Sequence, residues 1–244
     1  MTVTLAREVA GPTSLDDDAL ATLGGPLGDA LDELVERFGG TPHRVELVRA
    51  RSEHEARTGR VFDEDARWEA RTAAFLEWYI VERPFAEAGV APAALAWREA
   101  PSPERRALAT SQRSLYAFVE QEDAVVRLVD LLGGGHFDVS ERRRLGGVVR
   151  GDVVEARLYA WDGRVLFGRT LDYHPAGARE TIVAHARRIR AKGGSRADVV
   201  DYVASLRLRA EHYRHVPALR VYEASTNRFP RLDRAELDRK GEGE

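Results

Sequence analysis

The feature that most limits the fold of this chain is a turn dipeptide, Asp162-Gly163, between two segments rich in apolar residues, Asp152–Trp161 and Arg164–Leu171. A two-residue type I′ turn needs positive φ at both central positions, which aspartate tolerates and glycine adopts without strain. The pattern therefore predicts a β-hairpin. Its strands carry enough Val, Leu, Tyr, Trp and Phe side chains that at least one face must be covered, and the flanking helices are the expected cover.

Alternation of apolar and polar residues predicts further strands upstream of this hairpin. They start near Ser114, at Val125–Leu132 and at His136–Val139, with a turn at Glu122-Asp123. The glycines at 133–135 favour a hairpin turn over a phosphate-binding loop, because a strand and not a helix follows them. Several short, mostly antiparallel strands indicate a small antiparallel β-sheet or a partly open barrel.

Helical patterns flank the strands on both sides. Upstream, the predicted elements are a short helix capped by Ser14, helices over Pro26–Phe38, Pro42–Thr58 and Asp63–Glu82, a Pro-rich connection over Pro84–Pro103, and a brief helix after Ser102. The fourth helix carries an aromatic face that indicates either a hydrophobic core or an aromatic cage for a ligand: Trp68, Phe75, Trp78 and Tyr79.

Downstream, one helix is predicted over Pro175–Ala191, and a second is predicted to start at Ser195 with a capping box to Asp198. A polar tail follows Pro217. The expected fold class is α+β, with N-terminal helices, a small antiparallel sheet or partly open barrel, and C-terminal helices. The regions are a helical part over residues 1–100, a β-module with two helices over 101–220, and a polar, partly disordered tail over 221–244.

Composition excludes several kinds of chemistry. The chain has no cysteine, so it has no disulfide, thiol nucleophile or thiolate metal site. Lys192 and Lys240 are the only lysines, and there is no Gly-Lys-Ser/Thr phosphate loop. The N-terminus lacks a secretory signal pattern and no apolar run reaches roughly 18 residues, so a cytoplasmic protein without membrane contact is expected.

Histidine is therefore the main candidate for metal or acid–base chemistry. His212 and His215 are three residues apart on one predicted helix, but their spacing matches no established metal motif. An enzyme would need a site assembled from scattered residues such as His136, Asp172 and His174. We therefore expect no catalytic residues, no metal and no cofactor.

Charge is distributed unevenly along the chain. Residues 1–40 contain eight acidic and two basic residues, whereas residues 175–220 contain ten basic and four acidic ones. The two ends either pack together or present surfaces of opposite sign to partners. The candidate partner-binding residues form a loop patch and a helical strip: Arg142, Arg143, Arg144, Arg187, Arg188, Arg190, Lys192, Arg196, Arg207, Arg209 and Arg214.

Three segments carry a resemblance to a known group of proteins: residues 75–79 (FLEWY) with 82–84 (ERP), residues 114–116 (SLY) and residues 151–157 (GDVVEAR). In these segments the chain resembles a group of uncharacterised bacterial proteins, some of which resemble proteins with a C-terminal SEC-C metal-binding tail. The resemblance implies a helical segment leading into a small β-module over Asp63–Leu171. This chain has neither the cysteines nor the tail, so that metal function does not carry over, and the resemblance implies no activity.

Two functions follow as expectations. The first is a non-enzymatic cytoplasmic binding or adaptor protein with a protein partner. The alternative is a nucleic-acid-associated protein that uses the arginine-rich C-terminal helical surface to neutralise phosphates. No sequence feature indicates the oligomeric state.

Overall fold

The computed structural model describes residues 23–224. The helix predicted after Ser14 and the tail beyond residue 224 lie outside the described residues. No helix among those described is long and apolar enough to cross a membrane.

The described chain is α+β, with helices before and after a five-stranded barrel. The helices are α1 (Gly25–Gly39), α2 (Arg44–Thr58), α3 (Trp68–Val81), α4 (Pro92–Glu99), α5 (Pro103–Ala109), α6 (Arg179–Ala191), α7 (Arg196–His212) and α8 (Ala218–Ala224), with a 3₁₀ turn at Thr41–His43. The strands are β1 (Gln112–Glu122), β2 (Val125–Asp130), β3 (His136–Ser140), β4 (Val153–Trp161) and β5 (Arg164–Tyr173).

The predicted hairpin is confirmed as β4–β5, where Asp162 and Gly163 have φ values of 49° and 70°. Both residues therefore adopt the left-handed conformation that a type I′ turn requires. The glycine segment at 133–135 is also a turn, in which the Gly134 amide donates to the Asp130 carbonyl at 2.8 Å.

The sheet closes into a barrel with the strand order β1-β2-β3-β5-β4. All neighbouring strands are antiparallel except β3 and β5, which are parallel and meet at Val139 and Val165. The sheet is therefore mixed and closed, whereas a small antiparallel sheet or a partly open barrel was expected. This strand order and these directions are those of the OB fold, a five-stranded Greek-key barrel.

Three hydrophobic cores hold the chain together. The barrel interior is one, and it includes Tyr116, Leu128 and Phe167. The N-terminal helices form a second core that includes Tyr159 of β4, so these helices pack directly on the barrel. The third core joins α6, α7 and α8 to Leu115 and Val153 of the barrel.

The aromatic face of the fourth predicted helix belongs to the N-terminal core. Phe75, Trp78 and Tyr79 are each at most 4% exposed, and Trp68 is half-buried. This is the arrangement of a packed core, not of an open ligand cage. The helix begins at Trp68 and not at Asp63, because Asp65 closes a turn by accepting the Phe62 amide at 2.8 Å.

The C-terminal part differs from its prediction in two places. The helix expected from Pro175 begins at Arg179, after a turn in which the Ala178 amide donates to the Pro175 carbonyl at 3.0 Å. The tail expected beyond Pro217 begins with α8, in which Tyr222 is fully buried. The capping box between Ser195 and Asp198 is confirmed.

Candidate functional site

A layer of charged side chains lies between the barrel and the helices that cover it. In β1, β4 and β5, the residues that point away from the barrel interior include charged ones, and helices α3 and α7 place further charges opposite them. The layer consists of Arg67, Arg71, Glu77, Glu82, Arg113, Glu155, Arg157, Asp172, Asp201, Arg207 and Glu211.

Arg113 of β1 is the centre of one half of this layer. Its guanidinium contacts Asp201 of α7, lies 3.3 Å from Glu82 and lies 3.6 Å from Glu155 of β4. Its side chain is only 12% exposed. Arg157 approaches the same Glu82 at 2.5 Å, so two arginines share one carboxylate. These contacts connect α3, α7 and two barrel strands.

The other half of the layer is centred on Arg67, immediately before α3. Its guanidinium contacts Asp172 of β5 and lies 3.5 Å from Glu211 of α7. A carboxylate oxygen of Glu211 also lies 3.2 Å from Nε of Arg207, one turn earlier on α7, where the two side chains form an ion pair. The ion pairs therefore hold α7 against both the barrel and the N-terminal helices.

His174, just after β5, connects this layer to α8. Its Nδ1 atom lies 2.8 Å from the hydroxyl of Tyr222, and its Nε2 atom lies 3.8 Å from a carboxylate oxygen of Glu155. The backbone carbonyl of Tyr222 is 3.0 Å from Nε2 of His185 on α6. Tyr222 thus fastens α8 to two buried histidines.

Burial strongly affects the protonation of these groups. Burial raises the pKa of Glu155 above the ordinary carboxyl value, although Arg113 acts in the opposite direction. Burial also acts on Asp172, but the charges of Arg67 and Arg71 outweigh it and hold the pKa of this carboxyl below its ordinary value. Burial lowers the pKa of His174 to about 3, which keeps its imidazole neutral at physiological pH.

Asp172 and His174 of the scattered enzyme site do come together, but His136 does not join them. His136 lies exposed on β3, where it pairs across to Val129 of β2. Within residues 23–224 no group of three or more His, Cys, Asp or Glu side chains could hold a metal ion. His212 contacts Asp65 at 3.1 Å, and His215 is exposed near the end of α7.

The basic strip expected on the C-terminal helices is divided between surface and interior. Arg187 and Arg190 are exposed on α6 and Lys192 is exposed directly after it, and the only acidic residue of this helix is Glu180. Arg188 of the same helix is half-buried, and its guanidinium is 2.8 Å from Nδ1 of His185. The exposed part of α6 is thus a short basic face.

The arginines of α7 lie in different environments. Arg207 is 4% exposed and bound to Glu211, so it cannot contact a partner at the surface. Arg196 donates to Asp130 at 2.7 Å and thereby fastens the start of α7 to the barrel. Arg209 is half-buried, and Arg214 is exposed just after the helix. The exposed part of the basic helical strip is therefore shorter than the sequence suggests, because α7 is covered on nearly every side.

The loop patch lies between β3 and β4, in residues 141–152. Arg143 is held by Glu141, whose carboxylate accepts its guanidinium at 2.8 Å. Arg142 and Arg144 are exposed, and Arg144 donates to the carbonyl of Gln121 at 3.3 Å. Two of the three arginines therefore present charge to solvent.

The acidic N-terminal part does not cover these basic residues within the described chain. On α1, Asp32 pairs with Arg169 of β5 at 2.6 Å, and Glu33 pairs with Arg105 of α5 at 2.8 Å. Helix α7 instead packs against α2, where Arg57 pairs with Asp198 at 3.2 Å and also with Asp201. Residues 1–22 lie outside the description.

The β2–β3 side of the barrel is the side that OB folds commonly use to bind oligonucleotides. In this protein it carries one arginine, Arg127, which contacts Glu120 and lies 3.3 Å from Glu122 and 3.8 Å from Asp138. Asp123 is exposed at the adjacent β1–β2 turn. Carboxylates outnumber the arginine, so this surface repels a polyanion.

The buried charged layer is not apparent from the sequence. Glu155 and Arg157 alternate with the interior residues Val154, Ala156 and Leu158, which is the pattern of a strand with one solvent-facing side. The wide apolar stripe of α7 was a signal that this helix is buried, but Asp201 and Arg207 alone do not indicate which strand they face.

Comparison with known proteins identifies no similar protein. No family model matches the chain, and neither a curated protein nor a solved structure is similar to it at a significant level. The function is therefore inferred from the geometry of the described residues.

Proposed function

We propose that the protein is a non-catalytic binding protein that docks an acidic partner protein on the exposed basic face of α6. The observation that carries this proposal is the exposure of Arg187, Arg190 and the following Lys192 on or next to a helix with a single acidic residue. Arg187 has no ion pair or hydrogen bond with another described residue. Its guanidinium is therefore available to a partner's carboxylate, with which arginine forms paired hydrogen bonds.

The helix is suited to act as a rigid platform. Its inner face contributes Ile182 and Ile189 to the core that it shares with α7, and both are at most 4% exposed. Because the inner face is anchored, the outer arginines are presented from a fixed backbone. Binding of a partner to this helix therefore costs less conformational entropy than binding to a loop, which would have to become ordered.

Two observations support a protein partner over the alternative, nucleic acid. Arg196 and Arg207 are engaged inside the fold, which leaves fewer arginines to follow a run of phosphates. In addition, the β2–β3 surface, which serves nucleic acids in other OB folds, carries excess carboxylates.

The test is capture of partners from a native lysate with the tagged full-length chain. The double variant Arg187→Glu/Arg190→Glu reverses charge on the α6 face, and Arg98→Glu/Arg220→Glu makes the same change at exposed residues elsewhere. We expect at least one lysate protein to be captured by the wild type and by the control variant Arg98→Glu/Arg220→Glu. The α6 variant Arg187→Glu/Arg190→Glu should not capture this protein. Treating the lysate with nuclease should leave this protein bound.

The retained protein is then purified and titrated directly against each variant. We expect affinity for the α6 variant to fall by roughly tenfold or more, since loss of a charge-assisted hydrogen bond has about this effect. Equal affinity of wild type and α6 variant would contradict the proposal. A mobility shift on short DNA or RNA that the α6 variant abolishes would favour the nucleic-acid alternative instead.

A further inference from the structure

A groove with a volume of about 280 Å³ lies between the end of α2 and one side of α7. It is lined by residues of both helices and of the segment that follows α2, among them Arg60, Asp198, Asp201, Tyr202, Leu208 and Arg209. The groove is separate from the basic face of α6, and neither the ion-pair layer nor the proposed docking surface uses Arg60 or Arg209.

The acidic residues of the groove are already paired with arginines of the protein. Asp201 accepts Arg57 of α2 and Arg113 of β1. Asp198 accepts the backbone amide of Ser195 at 2.8 Å and the guanidinium of Arg57 at 3.2 Å. Neither carboxylate is therefore left to bind a cation.

The basic residues of the groove are not neutralised in the same way. Arg209 is half-buried and Arg60 is exposed, and neither forms an ion pair with any carboxylate of residues 23–224. Arg60 instead lies over the ring of Phe62, with 5.3 Å from its guanidinium carbon to the ring centre. His212, at the same end, contacts Asp65. The groove therefore has two unmatched guanidinium groups.

The wall of the groove is apolar between these charges. Gly59 has a φ of 95°, and a Cβ atom there would lie 2.7 Å from a methyl group of Leu208. Leu208 therefore packs directly against the chain that follows α2, and Leu208 and Tyr202, which both line the groove, are 3% and 7% exposed. An apolar wall beside a few charged groups is the usual composition of a small-molecule site.

We propose that this groove binds a small organic anion, with its carboxylate or phosphate group at Arg60 and Arg209 and its apolar part against Leu208. Guanidinium groups bind both kinds of anion through paired charge-assisted hydrogen bonds. The volume limits the ligand to the size of a small metabolite, because sites for larger ligands start at about 300 Å³.

The experiment uses benzoate, phenyl phosphate and the neutral benzyl alcohol as probes on the full chain. Each is titrated at constant ionic strength and followed by calorimetry and by the NMR shifts of backbone amides. We expect saturable binding of at least one anion, with the shifts concentrated at residues 56–60 and 198–212. Comparing benzoate with phenyl phosphate distinguishes a carboxylate ligand from a phosphate ligand.

Two substitutions test the role of the arginines. Arg209→Gln and Arg60→Gln should each weaken anion binding by roughly tenfold, the effect of losing one hydrogen bond to a charged group. Arg220→Gln is the control, because Arg220 is exposed on α8 and pairs with Glu223. Arg60 is exposed, so its substitution keeps the test valid even if Arg209→Gln does not fold.

Several results would overturn this proposal. The first is that neither anion binds saturably to the wild type. The second is that both arginine variants bind the anion with the same affinity as the wild type. The third is that the wild type binds benzyl alcohol as tightly as it binds the anions. None of them bears on docking at α6, because Arg187 and Arg190 remain unchanged in all these variants.

Discussion

Arg113 and Arg127 occupy neighbouring strands of one barrel, and each lies beside three carboxylates. Arg113 lies beside Glu82, Glu155 and Asp201, and its side chain is 12% exposed. Arg127 lies beside Glu120, Glu122 and Asp138, and its side chain is 45% exposed. The difference is that helices α3 and α7 cover the first cluster, whereas water reaches the second.

This comparison shows that the energetic importance of an ion pair depends on its burial more than on its composition. A buried cluster must keep its charges balanced, because an unpaired charge cannot be solvated there. An exposed cluster exchanges one partner for water at little cost. The covered side of the barrel is therefore part of the folded scaffold, and the open side is free to vary.

The largest effect is expected for Arg113→Met. Removing this guanidinium leaves three carboxylates in a covered layer and should lower the free energy of unfolding by about 3–5 kcal/mol. Urea denaturation of the variant and the wild type measures the difference. A loss of less than about 1 kcal/mol would mean that the covered cluster behaves like an exposed one.

The next largest effect is the response of stability to pH. Burial, together with nearby arginines, lowers the pKa of both His54 and His174 to about 3, whereas an unfolded histidine titrates near 6.5. The stabilisation that the native state gains from holding these two histidines neutral is therefore complete above pH 6.5, and it is lost as pH falls toward 3. Each histidine should contribute a loss of about 1 kcal/mol per pH unit in this window.

Glu155 acts in the opposite direction. Burial raises its pKa, so above the ordinary carboxyl range the unfolded glutamate ionises while the native one still keeps its proton. The fold therefore loses stability as pH rises from the ordinary carboxyl value to the raised one. His54 and His174 together outweigh Glu155, and His185, whose pKa burial also lowers, acts in the same direction. The net loss between pH 7 and pH 5 should therefore be at least about 2 kcal/mol. Unfolding in urea at several pH values measures it. His54→Gln should reduce the slope, and His136→Gln, at an exposed position, should leave it unchanged.

A smaller effect is expected for Tyr222→Phe, which keeps the buried ring and removes its hydroxyl contact with His174. The cost should be about 1 kcal/mol, the typical net contribution of one hydrogen bond. Hydrogen exchange of the α8 amides should become faster. Tyr213→Phe is the matched control, since Tyr213 is 53% exposed. Equal exchange in both variants would show that α8 does not depend on the charged layer.

The smallest effect is expected for Arg127→Met on the open side of the barrel. The change in unfolding free energy should be far smaller than that of Arg113→Met and should shrink further as salt is added, because exposed ion pairs are screened. Urea denaturation at low and high salt measures both quantities. A loss as large as that of Arg113→Met would remove the distinction between the two sides.

Local chemistry made much of the fold predictable. The Asp162-Gly163 turn, the capping box at Ser195 and the helix ended by Gly39 each depend on residues within a few positions of one another. The candidate surface was predictable only in part. Arg187, Arg190 and Lys192 lie at the surface as expected, but Arg207 is buried because the whole of α7 is packed between the barrel and α2.

The sequence by itself determined the main hairpin and the order of the elements as far as α7, because turn and capping preferences act between neighbouring residues. Only the tertiary structure decided that β3 pairs with β5 in parallel, that Tyr222 is an anchor and not part of a polar tail, and that Arg113 is buried while Arg127 is not. Each of these depends on contacts between residues distant in the chain. Alternating charges on a strand look the same whether a helix or water covers them.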